Sequence, residues 1–210
     1  MKSRHSKPSR GRERGSAGQF RIIAGRWRGR RLKFPALEDV RPTADRVRET
    51  LFNWLQPVIQ GSDCLDLFAG SGALGLEALS RGAAAVTFVD RSPVLVRAIA
   101  AHLGQLDCGA GAALCSEARS FLQRASGRYD LIFLDPPFGS GLLFELCQMI
   151  DDQVCLKPGG RVYLEHEAST GPPVLPAGWQ MLRSARAGNV SYHLASCPDQ
   201  VTGDSANSAT

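Results

Sequence analysis

Two short stretches of this chain combine residue types that do chemistry. The first is Asp66-Leu-Phe-Ala-Gly70-Ser71-Gly72-Ala-Leu-Gly75, and the second is Asp135-Pro136-Pro137-Phe138. Gly70, Gly72 and Gly75 match the G-x-G-x-x-G pattern between a strand and a helix. There glycines let the backbone approach a ligand, and the helix start presents unpaired N–H groups. Asp90, about 20 positions on, can accept both hydroxyls of a ribose. These features fit NAD and S-adenosylmethionine equally.

Two further residues separate the alternatives. Asp66 stands four residues before Gly70, where a carboxylate would repel a pyrophosphate but attract the ammonium of a methionine moiety. Asp135-Pro136-Pro137-Phe138 follows the apolar run Tyr129 to Leu134, which brings it to the rim of the sheet that carries the glycine loop. An exocyclic amine of a base is a poor nucleophile because its lone pair is delocalised into the ring. The Asp135 carboxylate and the Pro136 carbonyl can both accept from that amine and aim its lone pair at a methyl donor. The prolines stiffen the turn, and Phe138 offers a face to a flipped base. The chemistry needs no metal. The six cysteines form no C-x-x-C pair and have no histidine at ligand spacing, so they are expected to be reduced thiols.

The elements that must position these residues can be read from periodicity. From residue 63 strands and helices alternate: strands at 63–68, 84–89, 112–115, 129–134 and 161–166, helices at 72–81, from Ser92 or Pro93, 118–125 and 141–152. Lys157-Pro-Gly-Gly160 is read as a turn. This alternation predicts an α/β fold with a parallel sheet covered on both faces. Two last runs, 179–185 and 190–195, flank Gly188-Asn189 and predict an antiparallel hairpin at the sheet edge. Upstream, Thr43 is the expected N-cap of a helix that buries Val47, Leu51, Trp54, Leu55 and Val58. Asp45, Arg46, Arg48 and Glu49 occupy the opposite, wetter face.

Charge is concentrated at one end of the 210 residues. Residues 1–33 hold twelve Lys or Arg against Glu13, a net of +11, which leaves the remaining residues at −6. Residues 1–18 have the composition of a disordered basic tail. Phe20 to Ala24 and Arg30 to Phe34 then predict a hairpin in a small extension, 19–40, whose tip carries Arg26, Trp27, Arg28, Arg30 and Arg31. Guanidinium groups around an aromatic suit a nucleic acid, with phosphates on the arginines and a base stacked on the indole. Arg41 and Arg46 extend that basic surface. The main domain is expected at 41–195, followed by a polar tail at 196–210. No apolar run is long enough to cross a bilayer and no signal sequence is visible, so a cytoplasmic monomer is expected.

Taken together, DLFAGSGALGLEAL, VTFVD, FLDPPF, RIIAGRWRGRRL and RPTADRVRETLFNWL resemble the bacterial 16S ribosomal RNA guanine-N2 methyltransferases of the small subunit. The resemblance runs over about residues 19–195 in consistent order. It implies a Rossmann-like class I fold, a seven-stranded, mostly parallel sheet with a reversed final strand. It also implies methylation of one guanine of 16S rRNA within a small-subunit particle, with S-adenosylmethionine leaving as S-adenosylhomocysteine. On that resemblance Asp66, Gly70, Ser71 and Gly72 hold the methionine end, Asp90 the ribose, and Glu117 with Ala118 the adenine. Members more often carry Asp or Asn at the position of Glu117, which shifts the weight there to the Ala118 backbone. Asp135, Pro136 and Phe138 receive the target amine.

Motif chemistry alone leaves an N6-adenine methyltransferase acting on DNA or RNA open. It also leaves open a non-catalytic RNA-binding assembly factor that has kept the fold. A dehydrogenase is disfavoured by the lack of a residue set that could handle a hydride. The basic segments lead to the expectation that removing residues 1–33 weakens RNA binding and spares the cofactor site.

Overall fold

The computed structural model describes residues 18–35, 43–125 and 128–198. Strands β1 (Gly18–Arg21) and β2 (Arg31–Phe34) form an antiparallel hairpin. Helix α1 (Asp45–Leu55) follows. Then come β3 (Asp63–Asp66), α2 (Ala73–Ser80), β4 (Ala85–Asp90), α3 (Pro93–Gln105), β5 (Gly111–Cys115), α4 (Ala118–Leu122), β6 (Tyr129–Leu134) and α5 (Leu143–Asp152). The chain ends in three long strands, β7 (Leu156–Glu167), β8 (Gln180–Ala187) and β9 (Val190–Ser196). The main sheet has the order β5-β4-β3-β6-β7-β9-β8. Its first five strands are parallel, and β9 enters antiparallel between β7 and the edge strand β8.

Alternation along the strands divides the core in two, as side chains of period two require. Cys64, Leu131, Phe133 and Tyr163 face one cluster with Leu51, Leu76 and Ile99 of α1, α2 and α3. Leu65, Ile132, Leu134 and Leu164 face the other, with Leu122 of α4 and Leu146 and Ile150 of α5. Both faces of the sheet are therefore covered, as the sequence pattern predicts.

The first cluster also takes in the N-terminal hairpin. Phe20, Ile22, Trp27, Leu32 and Phe34 all belong to it, each no more than 9% exposed. Burial of such side chains stabilises by about 1.5–3 kcal/mol each. The hairpin is thus integral to the core, and removing residues 1–33 would strip four core residues, Phe20, Ile22, Trp27 and Leu32, rather than an accessory arm. That expectation is corrected. So is the role given to Trp27, whose indole is packed inside with its backbone N–H on Ser80 Oγ at 3.0 Å and is not available to stack on a base.

Other departures are local. The first hairpin strand ends at Arg21 rather than Ala24, because Ile23 and Ala24 turn to bond with α2. Ala44, not Thr43, sits at the N-cap of α1, and the helix stops at Leu55, which leaves Val58 38% exposed. Arg48, expected on the wet face, is fully buried. Its guanidinium donates to Asp45 Oδ1 at 2.6 Å, Arg21 O at 2.8 Å and Thr43 O at 3.2 Å, and it pairs with Glu77 at 3.6 Å. Lys157 to Gly160 bulge out of β7, since Tyr129 pairs with Leu156 and Leu131 with Arg161. Lys157 Nζ uses the bulge to reach Asp63 at 2.8 Å and Asp130 at 2.7 Å, tying β3, β6 and β7 together at the end opposite the glycine loop. Ser196 completes β9, one residue beyond the expected limit of the domain. Arg41 and the tails at 1–17 and 199–210 lie outside the described residues.

Candidate active site

The parallel strands deliver their carboxyl-terminal residues to one rim. Asp66 closes β3 and is 2% exposed. Its Oδ2 accepts the Gly75 N–H at 3.0 Å, so the carboxylate occupies an otherwise unpaired donor in the first turn of α2. Burial pushes its carboxyl up to about 7 from an ordinary 3.8, opposed by the Gly75 bond and helped by the charge of Asp90.

The turn between β3 and α2 depends on its glycines for separate reasons. Gly70 and Gly72 have φ of 52° and 80°, the left-handed region that other residues avoid. Gly75 lies against the Phe88 ring of β4, where an added Cβ would sit 2.2 Å from Cε1, so its role is close packing of helix on strand. Ser71 is buried within the turn. Asp90, ending β4, accepts Gly70 N–H on Oδ2 and Ser92 N–H on Oδ1, each at 2.8 Å. Each oxygen keeps a second lone pair. Glu117 and Ala118 begin α4 beyond β5, next along the same rim, where the Ser116 N–H meets Asp90 O at 3.1 Å. Glu117 is exposed and its side chain caps nothing. The structure therefore brings Asp66, Gly70, Ser71, Gly72 and Asp90 together around one turn, with Glu117 and Ala118 at its side.

Asp135 follows β6 on the other side of β3. Burial, the charge of Glu165 and that of Asp66, in that order, hold its carboxyl well above the carboxylate range, against the Thr43 hydroxyl. Pro136 is buried and Phe138 is 48% exposed. Beside them opens a groove of about 380 Å³, lined by Pro136, Phe138, Phe144, Glu165, His166 and Val174 among others.

Glu165 and His166 had no place in the sequence reading. Both are under 9% exposed on β7, and His166 Nε2 lies 3.0 Å from His193 Nε2 of β9. Burial and the neighbouring His166 lower His193 to about 4. The available signal was Tyr163-Leu-Glu-His166, ionisable residues interrupting the carboxyl end of an apolar strand.

The basic residues lie on the hairpin and in the first turn of α1. Arg26, Arg28, Arg30 and Arg31 of the hairpin are exposed, as is Arg46 of α1. The loop that carries them is fixed to α2. Glu77 accepts Ile23 N–H at 2.8 Å and Ala24 N–H at 3.0 Å, and Ser80 Oγ donates to Ala24 O at 2.6 Å. Among the described residues no cluster of three or more His, Cys, Asp or Glu could hold a metal, and no helix is long and apolar enough to cross a membrane. All six cysteines are free thiols.

A glycine turn opening α2, an acidic residue ending the next strand, and a reversed last strand in a seven-stranded sheet define the Rossmann-like class I methyltransferase fold. The comparison with known proteins gives the particular family. The model described as "Conserved hypothetical protein 95" matches residues 20–196. A curated relative, "Ribosomal RNA small subunit methyltransferase D" of Escherichia coli K12, is 46% identical over 85% of this chain and 90% of its own. Its namesake from Haemophilus influenzae is 42% identical over 84% and 93%. The solved structure "Putative methyltransferase yhhF from Escherichia coli" superposes with a TM-score of 0.82 and 44% identity, over 87% of this chain and all of that one. The chain belongs to this methyltransferase family.

Proposed function

We propose that the protein transfers a methyl group from S-adenosylmethionine to the exocyclic N2 of one guanine in 16S rRNA. The observation that carries this reading is Asp135-Pro136-Pro137-Phe138 on the strand rim that also holds Asp66 and the glycine turn, beside an open groove of about 380 Å³. The relatives' name, a methyltransferase of small-subunit ribosomal RNA, supports the substrate class.

The residues fit the donor. Gly70 and Gly72 admit a ligand against the backbone of the turn, Asp66 suits an ammonium, and Asp90 has lone pairs left for ribose hydroxyls. Glu117 and Ala118 flank the position for an adenine. S-adenosylmethionine supplies an electrophilic methyl on a sulfonium and leaves as S-adenosylhomocysteine.

The chain's own contribution is positioning, the effect that dominates when a reaction needs two groups aligned. The Asp135 carboxylate and the Pro136 carbonyl accept from the two N–H bonds of the amine and turn its lone pair toward the donor. Phe138 offers its exposed face to the flipped base. Once the nitrogen is alkylated it must lose a proton, and the raised pKa of Asp135 makes its ionised form a strong base for that step. Arg26, Arg28, Arg30, Arg31 and Arg46, with Arg41, serve to hold RNA phosphates, which position the substrate without reading its sequence.

The test is to incubate the protein with methyl-labelled S-adenosylmethionine and unmethylated small-subunit particles, free rRNA or DNA, then digest the product and identify the nucleoside. N2-methylguanosine from rRNA or particles is expected. N6-methyladenosine would overturn the guanine reading, and no transfer to any acceptor would leave a binding protein.

A further inference from the structure

Glu165 is buried at the rim without a role in the reaction as described. It stands one residue beyond Leu164, whose register partner is Leu134, and Asp135 stands one residue beyond Leu134. The two carboxyl groups are therefore neighbours across the ends of β7 and β6, and the charge of Glu165 helps raise the Asp135 carboxyl. Glu165 is 5% exposed, and what remains of its surface lines the groove that Pro136 and Phe138 also line. Tyr163 Oη donates to its Oε2 at 2.6 Å. Among the described residues no donor is bonded to Oε1. Oε1 is not among the fully buried unpaired atoms, so it is open to the groove that Glu165 lines, where it can accept from a ligand that brings a donor.

The ligand chemistry follows from the base edges. The N2 amine of guanine is flanked by N1–H, a donor. The N6 amine of adenine is flanked by a bare N1, an acceptor. An acceptor placed beside the amine-binding Asp135 fits the first edge and repels the second.

We propose that Glu165 selects guanine, with Oε1 accepting the N1–H of the base whose N2 amine is held by Asp135 and Pro136. The inference rests on the guanine-N2 reading above and adds the residue that makes it specific. Tyr163 fixes the carboxylate by one oxygen and leaves the other for the base.

The experiment rebuilds small-subunit particles with a two-piece rRNA that carries guanine, 2-aminopurine or adenine at the nucleotide the wild-type enzyme methylates. 2-Aminopurine keeps the N2 amine but has a bare N1. Wild-type kcat/KM should favour guanine over 2-aminopurine by at least about tenfold, because a site built around a hydrogen bond rejects an analogue that lacks it. In Glu165→Gln, whose amide can donate to a bare N1, that preference should shrink at least about tenfold, while S-adenosylhomocysteine affinity measured by calorimetry stays within about twofold. A wild-type enzyme that uses 2-aminopurine as well as guanine overturns the proposal whatever the variant does. An unchanged preference in a folded Glu165→Gln also overturns it. If adenine is the base methylated by the wild type, the guanine reading itself has failed.

Discussion

Three carboxyl groups, those of Asp66, Asp135 and Glu165, stand close together at the ends of β3, β6 and β7, and burial raises the pKa of each. For Asp66 the consequences have opposite signs with and without ligand. In the free protein its pKa is raised from 3.8 to about 7, so the stability it contributes is fully present below the unfolded value and lost as pH climbs through about 7. The melting temperature of the free protein should therefore fall from about pH 4 to about pH 7 and level off above it. An ammonium binds the ionised form, so S-adenosylhomocysteine affinity, measured by calorimetry, should level off above about pH 7. Below it, affinity should weaken by up to about tenfold per unit. A flat profile would remove Asp66 from contact with the ammonium. Asp135→Ala removes the amine's acceptor and its proton acceptor together. Transfer in a labelled-methyl assay should drop by at least about 100-fold, the scale of general base catalysis, with cofactor affinity within a few-fold.

At the scale of elements, the join between the hairpin and α2 governs whether the basic loop has a fixed place. Glu77, fully buried, accepts from Ile23, Ala24 and Arg81 and pairs with the fully buried Arg48. Glu77→Gln leaves Arg48 facing a neutral amide in a dry site, and breaking a buried pair in this way costs about 3–5 kcal/mol. Urea denaturation should register that loss, and hydrogen exchange at the Ile23 and Ala24 amides should accelerate. Gly25 belongs to the same join. Its φ is 80°, and an added Cβ would lie 1.8 Å from Ser80 O, so any side chain there pries the loop from the helix. The loop thus sits on the helix whose first turn holds Asp66, and the two sites share one rigid support.

For the whole molecule, the described arginines and the chain's net charge of +5 concern association with a polyanion. Since the hairpin is core, its charges must be removed without its backbone. Replacing Arg28, Arg30 and Arg31 together by Gln should weaken binding to rRNA and reduce the slope of log affinity against log salt by roughly 2. Each phosphate contact contributes about 0.7–0.9 to that slope. Cofactor affinity and melting temperature should hardly change, as the three side chains are exposed. An unaltered salt slope would move the RNA interface elsewhere.

Much of this protein was determined by its sequence alone, wherever neighbouring residues in the chain carry the signal. Apolar runs of period two and 3.6 located each strand and helix of the sheet. Glycines between a strand and a helix marked the turn, and Asp66, Asp90 and Asp135 each stand at a strand end, a place that local pattern reveals. What only the tertiary structure decided depends on residues far apart in the chain. Arg48 reads as a surface charge until Glu77, 29 residues on, supplies its buried partner. Trp27 reads as an exposed ring until Ser80 and α2 close over it. Glu165 reads as one polar residue in a strand until parallel pairing sets it beside Asp135. Local periodicity records which face a side chain takes, but burial and charge pairing arise only when separate elements meet, and the partners there are not neighbours in sequence.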